Sequence, residues 1–412
     1  MSVFHELIST VPPPFDRERA AQALSDLADN CRANEKLDQL TRFLVPGSPV
    51  HGLLVSVFSS SPYLTRLALQ DPAALLECLA TAPQAYLGSL YGDLRSACLP
   101  DTSQKEIMTA LRVCKRRIAL AIGLYDVSGV WSIDEVTRAL AEAADATISV
   151  AVRYLLQQGI KSGKLTGLDP EQPEKDSGYF VIGMGKLGAF ELNYSSDIDL
   201  IVFYDPARTP MKAGEEPAPF FVRVTRDLAQ LLQERTSDGY VWRTDLRLRP
   251  DPGATQLALS TDAGLSYYES FGQNWERAAL IKARVVAGDR TTGDAFLEQL
   301  SPFIWRRYLD FAAVADIHAM KRRVHEFKGH AKIAVAGHDI KLGRGGIREI
   351  EFFTQTQQLI AGGRQRELRE RQTLATLEKL VEQGWIEADT AKRLSDSYRF
   401  LRMVEHRLQM IG

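Results

Sequence analysis

Up to about residue 160, apolar positions recur at helical spacing between Pro and Gly breaks. The clearest runs are "AALLECLATAP", "KEIMTALRVCKRRIALAIGLY" and "SIDEVTRALAEAADATISVAVRYLLQQGI". The last opens with Ser132 and has Glu135 three residues on, the spacing of a capping box. No alternating strand pattern interrupts this part, which predicts an N-terminal helical region over 1–160. The polar "KSGKLTGLDPEQPEKDSG", rich in Gly, Pro and charge, reads as a linker. At Tyr179 the pattern changes. "YFVIG" and "DIDLIVFY" are short, apolar and β-branched, and predict strands. "FFVRVTRDLAQLLQER" puts Phe221, Val224, Leu228, Leu231 and Leu232 on one helical face. "GYVWRTDLRLRP" alternates as far as Pro250 and predicts a third strand. "LALS" and "RVVAG" predict two further short strands, with "YYESFGQNWERAALI" helical between them. From about Phe296 the chain reads as helical again, through "IREIEFFTQTQQLIAGG" to "TAKRLSDSYRFLRMVEHRLQMIG". The expected class is α+β, mostly helical: a small mixed sheet within 175–295, flanked by the N-terminal helical region and a C-terminal helical bundle over 296–412.

Composition narrows the classes of function. A chain of 412 residues has room for two or three domains. Its 45% hydrophobic and 25% charged residues are ordinary for a globular protein. A net charge of −2 provides no overall basic field, so neither nucleic acid nor a membrane surface is an expected partner. There is no apolar run of about 18 residues, and "MSVFHELISTVPPPF" does not have the layout of a signal peptide. Cys31, Cys78, Cys98 and Cys114 are far apart and form no CxxC, so they are expected to be ordinary thiols of a cytoplasmic protein.

The chemistry concentrates in "VIGMGKLGAFELNYSSDIDLIVFYD". Gly183, Gly185 and Gly188 spell G-x-G-x-x-G after a strand. A dinucleotide turn needs a full crossover helix of about a dozen residues before the next strand, but Asp197 follows Gly188 by only nine positions. Lys186 lies within the glycine turn, yet GMGKLG lacks the Walker spacing. The stronger signal is Asp197 and Asp199, two apart on a strand, so both carboxylates share a face. Such a pair is costly unless a cation lies between them, and hard divalent ions take carboxylate oxygens together with substrate phosphates. In the expected third strand, Arg243, Asp245, Arg247 and Arg249 share a face. This makes Asp245 a candidate third metal ligand and Arg247 and Arg249 candidate phosphate-binding forks, with Arg243 beside them. Backbone N–H groups of Gly183 to Gly188, with Ser195 or Ser196, are candidates to cradle phosphate oxygens. Lys282 and Arg284 in "IKAR" add further cations. Lys341, Arg344 and Arg348 surround "GRGG", which opens a helix at Ile347, where backbone donors favour anions. Glu276, Glu349 and Glu351 are candidate neighbours of the site. His318, His325, His330 and His338 have no spacing that completes a metal site and are expected to be structural.

The glycine-rich turn, short helix, D-x-D strand and third Asp on a later strand resemble the DNA polymerase β-type nucleotidyltransferase superfamily. Within it, "GMGKLGAFELNYSSDIDL", "VWRTDLRLRPDP", "SYYESFGQNWERAALIKAR" and "KLGRGGIREIEFFTQ" resemble the glutamine synthetase adenylyltransferase/adenylyl-removing enzymes. The resemblance covers at least residues 180 to 360. It implies a nucleotidyltransferase catalytic domain over 175–295. It also implies correspondence to the N-terminal, adenylyl-removing unit, with a second, adenylyltransferase half in the full-length chain. The implied activity removes AMP from a tyrosine of glutamine synthetase by phosphorolysis, with inorganic phosphate consumed and ADP released. Mg2+ is the implied cofactor, as two ions bridged by Asp197 and Asp199, with Asp245 holding one and available as a base in the reverse direction. Implied partners are glutamine synthetase and a PII-type signalling protein. Two other readings stay open: attachment of AMP from ATP on the same scaffold, and a non-catalytic regulatory module.

Overall fold

The computed structural model describes residues 2–307 and 337–411. Among them, nine helices precede the sheet, from Phe4–Leu7 to Ile133–Lys161. Their starts follow the sequence signals. Ser103 and Ser132 each accept a backbone N–H from a Glu three residues on, and that Glu reaches back to the Ser backbone N–H at 2.8 Å in both helices. Pro occupies the first turn of four consecutive helices over residues 49–96, where its missing N–H costs no bond. All four cysteines are buried free thiols.

Among the described residues, five strands form a mixed sheet: β1 (Tyr179–Gly183), β2 (Ile198–Tyr204), β3 (Thr244–Asp245), β4 (Ala258–Ser260) and β5 (Arg284–Gly288). β1 is central and antiparallel to both β2 and β5. β3 and β4 pair in parallel with successive parts of β2, Ile198–Asp199 and Val202–Tyr204. Because β1 and β2 run antiparallel, no Rossmann crossover exists between them, as the short spacing predicted.

Period-two alternation divides the strands between two cores. Tyr179 and Val181 of β1, with Ile198, Leu200 and Val202 of β2, join the apolar cluster of the N-terminal helices and the Pro217–Gln233 helix. Phe180, Ile182, Ile201 and Phe203 face the opposite way, into a second cluster with Tyr268, Phe296 and Phe303. Asp199 therefore emerges on the side of the second cluster, at the end of β2 where the glycine turn leaves β1.

The segment 239–250 departs from expectation. Only Thr244 and Asp245 pair with β2. Val241 and Trp242 donate their N–H groups to Leu232 O, at 2.9 and 3.0 Å, so they close the end of the preceding helix instead of extending a ladder. Beyond the strand, Asp245 Oδ1 accepts the Arg247 N–H at 2.8 Å, which turns the chain away. The expected helix through "YYESFGQNWERAALI" is also two helices, Thr261–Ser270 and Asn274–Leu280.

Helix Ile347–Ala361 begins after the GRGG turn, as read from the sequence. Thr373–Glu382 and Ala388–Ile411 follow it. The last helix buries charged side chains beside apolar ones such as Tyr398 and Met410. Arg402, Glu405 and His406 are buried, whereas Phe400, Met403, Leu408 and Ile411 are exposed.

The glycine turn sets a sharp packing limit. A Cβ on Gly188 would lie 1.9 Å from Lys282 O and 2.6 Å from Gly183 O, both backbone atoms with no room to yield. Gly188→Ala is expected to lose about 3 kcal/mol or more. Gly92, exposed on the Pro83–Ser96 helix with open space around it, is expected to gain about 0.5–1 kcal/mol on replacement by Ala. Chemical denaturation of the two variants checks the contrast.

Candidate active site

A cleft of about 630 Å³ opens where the glycine turn, the start of β2 and the C-terminal helices meet. That volume is within the range that holds a nucleotide-sized ligand. Gly185, Lys186, Ser195, Ser196, Asp197 and Asp199 form its floor.

The floor is crowded with negative charge. Asp199 is mostly buried, and its carboxyl is pushed up to about 6. Burial is the largest cause, followed by the charges of Asp245 and Asp197, with Arg348 and Lys341 opposing them. Asp245 is the register partner of Asp199 across the β2–β3 pair. Gly185 sits in the left-handed region at φ +53°, and a Cβ there would stand 2.8 Å from Asp199 Oδ2. Only glycine lets the turn lie this close to the carboxylate.

Arginines cover the two outer carboxylates. Arg243 Nε bonds Asp197 Oδ1, and its Nη2 donates to Ser195 O at 2.6 Å. Arg247 Nη2 reaches Asp245 Oδ2 at 2.6 Å and holds that carboxyl below its ordinary range. Asp245 consequently lies beside the cleft and is not part of its wall. Among the described residues, no three carboxylate, imidazole or thiol groups are already gathered around one point. The donor set nevertheless fits a hard divalent ion. It comprises three carboxylates, the central one raised by burial first and by its acidic neighbours next, and the exposed Arg243–Asp197 pair is worth only about 0–1 kcal/mol, a weak hold on an oxygen an ion would take.

The expected cations divide by location. Lys186, Arg243, Lys282, Lys341 and Arg348 line the cleft. Lys186 is mostly buried and drawn down to about 8, by burial first and by Arg402 next; its Nζ lies 3.3 Å from Glu405 Oε2. Lys282 Nζ bonds Glu191 Oε2 at 2.9 Å, inside a buried network. Arg247 projects to solvent and is occupied with Asp245. Arg249 donates to Leu246 O and Pro252 O, both at 2.8 Å, and shapes its own loop. Arg284 is buried against Asp145 at 2.6 and 2.9 Å and donates to Leu187 O at 3.0 Å, so it braces the back of the glycine turn. Arg344 lies in the GRGG turn outside the cleft wall. The row of arginines expected along a third strand is therefore not a phosphate wall, because that strand ends at Asp245.

The backbone donors divide in the same way. The Met184 and Gly188 N–H groups are spent on Asp199 O and Met184 O, at 2.9 and 3.0 Å. The first N–H groups of the short Gly185–Gly188 helix have no intrahelical partner. At the GRGG turn, the Ile347 and Arg348 N–H groups bond Ile340 O and Lys341 O, so that helix start is closed by its own loop. Gly183, at the end of β1, packs against Val286 and Leu187 and offers the cleft nothing directly.

Several cleft residues carried no signal in the sequence. Glu405 faces Lys186, and Gln409 Oε1 accepts the Ser195 N–H at 3.1 Å. Both come from the last helix, where polar residues spaced three or four apart read as a solvated face. Arg402 from the same helix donates to Glu191 O at 2.7 Å and to Asn193 Oδ1. His406 bonds Asp126 at 3.0 Å, and burial draws its imidazole below the ordinary range against the pull of that carboxylate. Glu351, named as a neighbour from the sequence, does line the cleft; Lys282, Lys186 and Arg402 hold its carboxyl down against burial. Glu349 lines it too. Glu276 instead closes a capping box with Gln273 and bonds Tyr267. His338 faces Arg344 O at 3.2 Å; His318, His325 and His330 lie outside the described residues.

Comparison with known proteins places this geometry in a family. A model of glutamate-ammonia ligase adenylyltransferase matches residues 51–299, and one of PII-uridylyltransferase matches residues 315–412. The chain belongs to the glutamate-ammonia ligase adenylyltransferase family. It is 53% identical over 360 residues to the bifunctional glutamine synthetase adenylyltransferase/adenylyl-removing enzyme of Bradyrhizobium sp. (strain ORS 278), covering 87% of this chain and 36% of the relative. The enzyme of the same description from Rhizobium meliloti (strain 1021) is 50% identical over 406 residues, covering 97% of this chain and 41% of the relative. The chain thus spans about two fifths of the length of these curated relatives. Among the described residues, no helix is long and apolar enough to cross a membrane.

The raised carboxyl of Asp199 has a consequence for stability. Folding disfavours its charged form, so the contribution of Asp199 to metal-free stability is greatest below the unfolded value near 3.9 and is lost as pH rises through about 6. At pH 8 without metal, Asp199→Asn is expected to raise the melting temperature by about 2–4 °C. Added Mg2+ is expected to stabilise the wild type and to leave Asp199→Asn nearly unmoved. Calorimetry with and without Mg2+ checks both outcomes.

Proposed function

We propose that this chain removes AMP from an adenylylated tyrosine of glutamine synthetase by phosphorolysis. The observation that carries the reading is the group of mutually repelling carboxylates at the end of β2, facing a cleft that also holds Lys186, Lys341 and Arg348. Carboxylates beside cations suit a reaction in which two phosphates must approach each other. The printed names of the relatives include adenylyl removal and adenylyl transfer. The wording of "NYSSDIDL", nearer to the N-terminal unit of the resembling family, favours removal for this chain.

In this reaction an oxygen of inorganic phosphate bonds to the α-phosphorus of the adenylyl group as the bond from phosphorus to the tyrosine oxygen breaks. The products are ADP and a tyrosine side chain, which takes the proton of the hydrogen phosphate. The phenol has a pKa of about 10, so it leaves without a dedicated histidine acid. Asp197, Asp199 and Asp245 would hold Mg2+, which when bound stabilises charge on the attacking and leaving oxygens. Lys186 and the open N–H groups at the start of the glycine turn would receive non-bridging oxygens. Lys341 and Arg348 would draw in the incoming phosphate, and Arg243 would swing from Asp197 as the site fills. We infer glutamine synthetase and a PII-type signalling protein as partners. The match of residues 315–412 to a PII-uridylyltransferase model supports the second.

The test is ADP formation from adenylylated glutamine synthetase, Mg2+ and phosphate. ADP that depends on phosphate is the expected result, and Asp197→Asn or Asp245→Asn is expected to slow it about 100-fold or more with the fold intact by circular dichroism. Incorporation of AMP from ATP, with no phosphate-dependent ADP, would assign the chain to attachment instead. A near-wild-type rate in either variant would remove the metal assignment.

A further inference from the structure

One side of the cleft has a chemistry that phosphate binding does not use. Trp275, Ala278 and Ala279 stand at i, i+3 and i+4 on the Asn274–Leu280 helix and so share a face. Phe352 and Gln355 share a face of the Ile347–Ala361 helix, and Leu248, from the loop after β3, lines the same cavity. Gln355 Nε2 donates to Ala278 O at 3.3 Å and ties the two helices together. The result is an apolar slot between two helices, continuous with the carboxylate floor. Trp275 is 38% exposed within it, and a large aromatic side chain left open beside a polar reaction site is positioned to meet a ligand.

We propose that this slot is the base subsite, in which an adenine ring lies against the Trp275 indole and its exocyclic amine donates to Gln355 Oε1. The assignment rests on the reading above, in which the adenylyl phosphate sits at Asp197 and Asp199. The two flat rings of an adenylyl-tyrosine are distinguished by their edges. The tyrosine oxygen is esterified, so that ring has no donor to offer. Adenine carries an amine on its edge, and among the described residues no hydrogen bond reaches Gln355 Oε1. One of the two N–H groups of Gln355 Nε2 is engaged by Ala278 O, which holds the amide, and Oε1 is the acceptor it offers to an amine.

The test titrates AMP and IMP into the 412-residue chain by calorimetry. Trp275→Ala is expected to raise the AMP Kd about ten-fold or more, and Trp275→Phe to recover most of the loss. IMP, which has a carbonyl where AMP has the amine, is expected to bind the wild type about ten-fold more weakly; Gln355→Met is expected to abolish that difference. An AMP Kd unchanged by Trp275→Ala, equal affinity for AMP and IMP, or no AMP binding by the wild type would each overturn the subsite. A raised KM for adenylylated glutamine synthetase with an unchanged AMP Kd would overturn it too, by assigning Trp275 to contact with the target protein. If AMP binding depends on Trp275 and Gln355 as expected but no ADP forms from adenylylated enzyme and phosphate, the subsite stands and the phosphorolysis reading falls.

Discussion

The close approach of the glycine turn to the end of β2 is the constraint on which the site depends. Antiparallel pairing of β1 with β2 fixes where the turn leaves the sheet. Gly185 then lies against Asp199, and Gly188 against the carbonyl of Lys282. No side chain fits at either contact. With the turn seated, Asp199 is pressed between Asp197, just before β2, and Asp245 on the next strand, in a mostly buried position where their like charges add to the cost of burial. Within the group of three aspartates, arginines cover only the outer members, Asp197 and Asp245, and leave Asp199 without a direct cation among the described residues.

The second determinant is the last helix. Its buried face carries Arg402, Glu405, His406 and, at the cleft, Gln409, and these join the glycine turn, the 189–196 loop and Asp126 of the Gln104–Val127 helix into one network. Glu191 lies at its centre, taking Lys282 at 2.9 Å and the Thr373 N–H at 2.6 Å. Burying this many charges brings little net stability, because desolvation offsets most of the attraction. What it does impose is geometry: a lysine beside the carboxylates whose ammonium is held by a helix more than 200 residues away in sequence. The cleft therefore has three sources, a sheet end, an apolar pair of helices and a charged helix, and each lines it with a different chemistry.

Much of this was readable in the chain. Short, apolar, β-branched composition in "YFVIG" and "DIDLIVFY" identified both strands, and the period of two put Asp197 and Asp199 opposite Ile198, Leu200 and Val202. The short spacing after Gly188 excluded a crossover helix, and Ser132 with Glu135 marked a helix start. The failures share a cause. "GYVWRTDLRLRP" alternates well enough for a strand, but Leu232 O captures Val241 and Trp242 and Asp245 captures the Arg247 N–H, so local hydrogen bonds outcompete the ladder. Arg249 and Arg284 look like phosphate forks by residue type and are spent on carbonyls and on Asp145.

The sequence by itself determined local features: most of the helix and strand segments, where glycine is required, and that two carboxylates share a face at a strand end. Those depend on neighbours within a few positions, and backbone sterics and periodicity settle them. Only the tertiary structure decided which charges meet. Lys186 finds Glu405, Lys282 finds Glu191, and Gln355 finds the carbonyl of Ala278 beside Trp275 in the same cleft, through pairings that span from about 80 to more than 200 positions. A charged side chain has the same composition and spacing whether it faces water, a carbonyl or a substrate, and only its surroundings in the folded chain distinguish them.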